Sequence, residues 1–171
     1  MSLNIVRAIV SSENLDEFHL GRLLLILFAT ESNSSKPMKG ITKLAKFDFL
    51  LRYPNCLEMA LEAVQKDHKD ANVKEFERTT IESKMIRFKY GPWDDRYRRW
   101  IGLLVSQGLV SVDFEGRTVF INLTEQGKQV ANLFAADVAY QDLLERSQIV
   151  HKVFGSYSAT KIKDFTLVSP K

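Results

Sequence analysis

A chain of 171 residues is long enough for one well-filled core and too short for two large domains. Its 45% hydrophobic and 26% charged residues are ordinary for a soluble globular protein. The formal charge of +3 is too small to demand a nucleic-acid partner, and the single cysteine, Cys56, excludes an internal disulfide.

The eleven Phe residues point to an interior dominated by aromatic packing. Cys56 sits beside Leu57 and Met59 with no flanking His or Lys, so a buried, inert thiol is expected. The opening Met1-Ser-Leu-Asn carries neither a basic region nor the apolar run of a signal peptide. The longest strongly apolar run, Leu23 to Ala29, is far short of the roughly 18 residues that a membrane span needs. A cytoplasmic protein with no membrane partner is expected.

In chain order, Leu15 to Thr30 predicts a first helix, with Asp16 and Glu17 in the first turn, where the helix dipole favours negative charge. Its second half is apolar on every side, which predicts a central helix. Glu31 to Pro37 reads as a loop. A second helix follows from about Gly40 to Tyr53, ending before Pro54. Its inward stripe is Ile41, Leu44, Ala45 and Leu51, and Asp48 falls on that stripe. Arg52, one turn on, is placed to pair with Asp48, either as a solvated helix pair or as an ion pair at an interface with another chain. Leu57 to Val64 continues as a short helix. Residues 65 to 84 then mix both signs of charge with few apolar anchors, as a solvated insertion does.

Beyond it, Met85 to Tyr90 alternates like a short strand, and Gly91-Pro92 breaks it. Trp93 to Gln107 carries Tyr97, Trp100, Ile101, Leu104 and Val105 at helical spacing, and Gly108 ends the helix. Leu109 to Phe114 and Arg117 to Leu123 form a hairpin around Glu115-Gly116. Thr124 caps a helix to about Ala136, with Val130, Leu133 and Phe134 inward. Residues 137–171 form a helical extension, one helix running from Asp137 to about Phe154 and a last short element from Ser158 to Leu167.

This order predicts a single domain over 1–171, mainly α with a small β hairpin or sheet. The expected fold is a winged helix-turn-helix with a charged insertion at about 65–84 and extra C-terminal helices. The fold serves both DNA binding and protein docking, so it leaves function open. Arg96, Arg98 and Arg99 on the third helix, Arg117 in the wing, and Lys43 and Lys46 on the second helix are candidates for contact with a DNA backbone. Asp94 and Asp95 oppose that assignment by offering local counter-charge.

Catalysis finds no support. His19, His68 and His151 are isolated, with no Cys or His at metal spacing. Gly127-Lys128 lacks the rest of a phosphate loop, and no nucleophile elbow or dinucleotide fingerprint is present. No cofactor, metal or small-molecule substrate is expected.

Three strings, "KLAKFDFLLRYP" (Lys43 to Pro54), "FKYGPWDDRYRRWIGLLVSQGLV" (Phe88 to Val110) and "SYSATKIKDF" (Ser156 to Phe165), give the chain a resemblance to a known family. The chain resembles the middle component of bacterial ABC-three-component systems, which include Lamassu-type defence against phage and plasmids. The resemblance spans roughly Leu15 to Phe165. It implies a non-enzymatic accessory subunit joined to an SMC-like ATPase and to an effector, often a nuclease, with double-stranded DNA a possible ligand through the complex. It also implies that Asp48, Arg52, Gly91, Pro92, Trp93 and Asp94 serve partner docking. The alternative is a stand-alone winged-helix transcription regulator, a symmetric dimer on a near-palindromic site. The long insertion between the second and third helices speaks against that alternative.

Overall fold

The computed structural model describes residues 16–78 and 95–166, with side chains described as far as Ile162. The architecture is mainly helical with one small open sheet. It runs α1 (Asp16–Ser34), β1 (Met38–Lys39), α2 (Ile41–Arg52), α3 (Pro54–Ala63), a 3-10 turn (His68–Ala71) and α4 (Glu75–Arg78). It continues with α5 (Arg96–Ser106), β2 (Val110–Glu115), β3 (Thr118–Leu123), α6 (Glu125–Ala136), a 3-10 turn (Val138–Tyr140), α7 (Gln141–Phe154) and α8 (Ala159–Thr166).

α1 is the axis of the molecule, as its all-round apolarity predicts. All nine residues from His19 to Leu27 are buried; seven are hydrophobic or glycine, and the two polar exceptions are His19 and Arg22. α2, α5, α6, α7 and β3 all pack on it. The helix runs four residues past Thr30, into what reads as a loop. The side chains of Thr30, Asn33 and Ser34 explain the overrun: each donates back to the carbonyl four residues earlier, so the polar stretch stays inside the helix.

The sheet has the antiparallel order β1-β3-β2, with Met38 opposite Ile121 and Lys39 opposite Phe120. Its third strand therefore comes from the segment between the first two helices. The strand expected at Met85 to Tyr90, and the Gly91-Pro92-Trp93-Asp94 segment, lie outside the described residues. The hairpin turns on Gly116-Arg117, one residue later than expected.

Two glycines make the hairpin possible. Gly108 takes φ +71° after α5, and Leu109 donates back to the Leu104 carbonyl at 3.0 Å, closing the helix. Gly127 is set by close approach, because a Cβ there would lie 1.9 Å from the Leu109 carbonyl oxygen. Thr124 stitches the same corner: its hydroxyl donates to Gly108 and accepts from the Gly127 amide, capping α6 as expected.

Other boundaries move for local reasons. α3 begins at Pro54, whose fixed φ suits the first helical position, so one proline both stops α2 and starts α3. The helix expected from Asp137 opens as a 3-10 turn, with the Asp137 carboxylate accepting from the Ala139 amide. Leu133, expected inward, is 74% exposed, and Val105 is also exposed, whereas Tyr97, Trp100, Ile101 and Leu104 are buried as their spacing predicts. Cys56 is buried, and burial pushes its thiol up to about 11, which fits an inert thiol.

The charged insertion is anchored instead of merely solvated. Arg146 of α7, almost fully buried, donates to the carbonyls of Ala71 and Asn72 and holds both oxygens of Glu77 at 2.7–2.8 Å. Burial works to raise the Glu77 pKa, but the bonds from Arg146 and the Lys74 amide outweigh it and lower it.

Candidate nucleic-acid interface

Asp48 has no surface to offer a partner. It is fully buried, and its counter-charge is Arg22 of α1, not Arg52. The Arg22 guanidinium holds both carboxylate oxygens, and the Tyr97 hydroxyl of α5 donates to the same group at 2.5 Å. The second Arg22 nitrogen donates to Nδ1 of His19 at 2.8 Å, and the His19 ring stacks on Trp100 at 4.2 Å. Trp100 in turn donates to Asp16 at 3.0 Å. α1, α2 and α5 are thus tied through one buried polar chain. Burial, then the Asp48 charge, holds the Tyr97 hydroxyl far above the ordinary tyrosine range. Arg52 lies instead over the Tyr53 ring, 5.5 Å from its centroid. The i,i+4 spacing alone could not reveal this pairing, because Arg22 is 26 positions away in sequence.

The six backbone-contact candidates separate into two groups. Lys46 is buried and donates to the Ala159 carbonyl at the start of α8, so it works as a structural clamp. Arg96 lies half-buried over Trp100, 5.1 Å from the ring centroid. Arg99 pairs with Asp16. The remaining three, Lys43, Arg98 and Arg117, converge on one open groove.

That groove has a volume of about 1210 Å³ and runs between the β1–α2 corner, the start of β3 and the α7–α8 joint. Among the described residues, six Lys or Arg side chains line it together with His151, and no Asp or Glu does. Sequence reasoning missed three of these cations: Lys36 and Lys39, which flank Pro37-Met38, and Lys152, in the last turn of α7. Nothing in the local pattern distinguishes them, since lysine in a loop or at a helix C-terminus is ordinary. Lys36, Lys39, Arg117 and Lys152 are all exposed, and none makes an ion pair among the described residues.

The electrostatics at the groove floor bear the mark of crowded positive charge. Lys43 donates to the Gly155 carbonyl, and its pKa is lowered by burial and then by Lys39. His151 is likewise lowered, by burial and then by Lys43, and its buried Nδ1 makes no hydrogen bond among the described residues. Unmatched cations in a concave, partly apolar setting focus positive potential, and an anion seated there relieves their mutual repulsion. Among the described residues no group of three or more His, Cys, Asp or Glu is placed to hold a metal ion, and no helix is long and apolar enough to cross a membrane.

No protein-family model gives a significant match to the chain, and neither does any curated protein or solved structure.

Proposed function

We propose that this chain is a non-catalytic winged-helix accessory subunit that holds nucleic-acid backbone in its cationic groove as part of a larger assembly. The carrying observation is the groove itself, lined among the described residues by six cationic side chains and no carboxylate. A protein that neutralises phosphates needs such a surface, because each Lys or Arg contact releases a condensed counterion.

The winged-helix reading is supported by the order α1, β1, α2, α5, hairpin, with α3 and α4 inserted between α2 and α5 and β1 joined to β3 at the sheet edge. Arg117 sits in the hairpin turn and Arg98 on the face of α5, the positions of a wing and a recognition helix. The assembly reading rests on the resemblance to the middle component of ABC-three-component systems, with an SMC-like ATPase and an effector as partners. Arg52 remains a candidate for docking, together with Gly91, Pro92, Trp93 and Asp94 outside the described residues.

Two measurements test the two halves. An SMC-like ATPase of the ABC-three-component type, co-expressed with this chain, should co-elute with it at low salt, and separate elution ends the assembly reading. Binding to DNA should weaken steeply as salt rises, and the triple variant Lys39→Glu, Arg117→Glu, Lys152→Glu should flatten that dependence by about three in log–log slope. Because all three side chains are exposed, the variant should keep its melting temperature, so lost binding cannot be ascribed to lost folding. An unchanged slope removes the groove from the proposal. A symmetric dimer with a near-palindromic preference would instead identify a stand-alone regulator.

A further inference from the structure

Resting on the reading of the groove as a backbone site, the geometry points to single-stranded nucleic acid, in preference to a duplex, as its occupant. The argument comes from what lies between the cations. Much of the groove lining is apolar, including Ile41, Val119, Phe120 and Tyr157. Phe120 belongs to no buried cluster: on β3 it is Ile121 and Leu123 that point into the core, so Phe120 stands on the opposite face of the sheet. In the β1–β3 pairing Phe120 lies directly opposite Lys39. Directly opposed residues share a face, so an aromatic ring and an exposed cation with no ion pair among the described residues lie side by side.

A duplex has no use for that pair. Its bases are stacked inside, and it presents phosphates, sugars and groove edges, which need cations on an accessible face and nothing apolar beneath them. A single strand presents both phosphate and an open base face. Proteins that bind single strands combine a positive groove that tracks the backbone with aromatic side chains on which bases stack. Lys39, Lys36 and Arg117 on the β1–β3 side, and Lys152 on the α7 side, supply the two rims of such a track. Tyr157 is the weaker platform, because Lys161 already lies 4.1 Å from its ring centroid.

The test uses the full chain and fluorescence anisotropy with a labelled oligothymidylate of about twelve nucleotides, within the site sizes of single-strand binders, against a hairpin duplex of equal strand length. The single strand should bind at least about fivefold tighter. Phe120→Ala should weaken single-strand binding about tenfold, the loss of one stacked base, while leaving its salt slope unchanged. Phe120→Leu, which keeps the apolar bulk and guards against a folding artefact, should fall nearly as far. The triple charge reversal should lower the single-strand slope by about two. Equal or tighter duplex binding, or indifference to both Phe120 variants, overturns the single-strand inference while salt-dependent duplex binding leaves the backbone reading intact. Absence of binding to either probe at low salt overturns both.

Discussion

The Asp48 knot and the cationic groove both gather charge in one small region, and they differ in whether that charge is answered. Around Asp48 each polar group meets a partner: Arg22 and Tyr97 reach Asp48 from other helices, and His19 pairs with Arg22 within α1, all of them almost wholly buried. In the groove, Lys36, Lys39, Arg117 and Lys152 are exposed and make no ion pair among the described residues, and burial, then Lys39, lowers the pKa of Lys43. Matched charge under cover fixes how helices pack. Unmatched charge in the open is the surface on which an external ligand acts. The contrast also explains why Arg99 and Lys46 drop out as contact residues: each is already spent on an internal partner.

The largest expected effect is at the knot. Asp48→Asn leaves the Arg22 guanidinium buried without a counter-ion and should cost about 3–5 kcal/mol in urea unfolding, since breaking one side of a buried pair strands the other charge. The double change Arg22→Met with Asp48→Leu should recover most of that loss. If Asp48→Asn proves as stable as the parent, the knot is not what sets the α1–α2 packing.

Next in size is the Arg146 anchor. Arg146→Ala removes four hydrogen bonds to the 71–77 segment, taking the Arg146 donor from the Ala71 and Asn72 carbonyls and from the Glu77 carboxylate. A loss of about 2–4 kcal/mol is expected, between that of a charged hydrogen bond and that of a broken buried pair. Amide exchange should localise the opening to that segment and to α7. Uniform loosening of the whole chain would argue against a local staple.

The smallest effect concerns His151 and sharpens the comparison. Burial and Lys43 depress its folded pKa below the ordinary 6.5. The unfolded chain therefore takes up this proton at a higher pH than the folded one. Its contribution to stability is full above the unfolded pKa and is lost as pH falls from there towards the folded value. Unfolding midpoints at neutral and mildly acidic pH should show a small loss, and His151→Gln should reduce it. Bound polyanion should also shrink the loss, because phosphate beside His151 favours the imidazolium. A His151→Gln profile identical to the parent's would place the pH dependence elsewhere.

Sequence pattern alone was enough for the central helix, the α5 stripe, Gly108, the Thr124 cap and the hairpin, because each depends on periodicity or on a turn preference within a few residues. It also marked Asp48 as anomalous on an apolar stripe, and placed three of the groove cations among its candidates. Tertiary structure decided the rest. Arg22 as the partner of Asp48, Arg146 as the holder of the insertion, β1 as the third strand, and the convergence of Lys36, Lys39 and Lys152 with Lys43, Arg98 and Arg117 all join segments distant in the chain. A local pattern reports which face of an element avoids water. Which charge meets which across that face depends on the packing of helices, and no spacing within one helix encodes it.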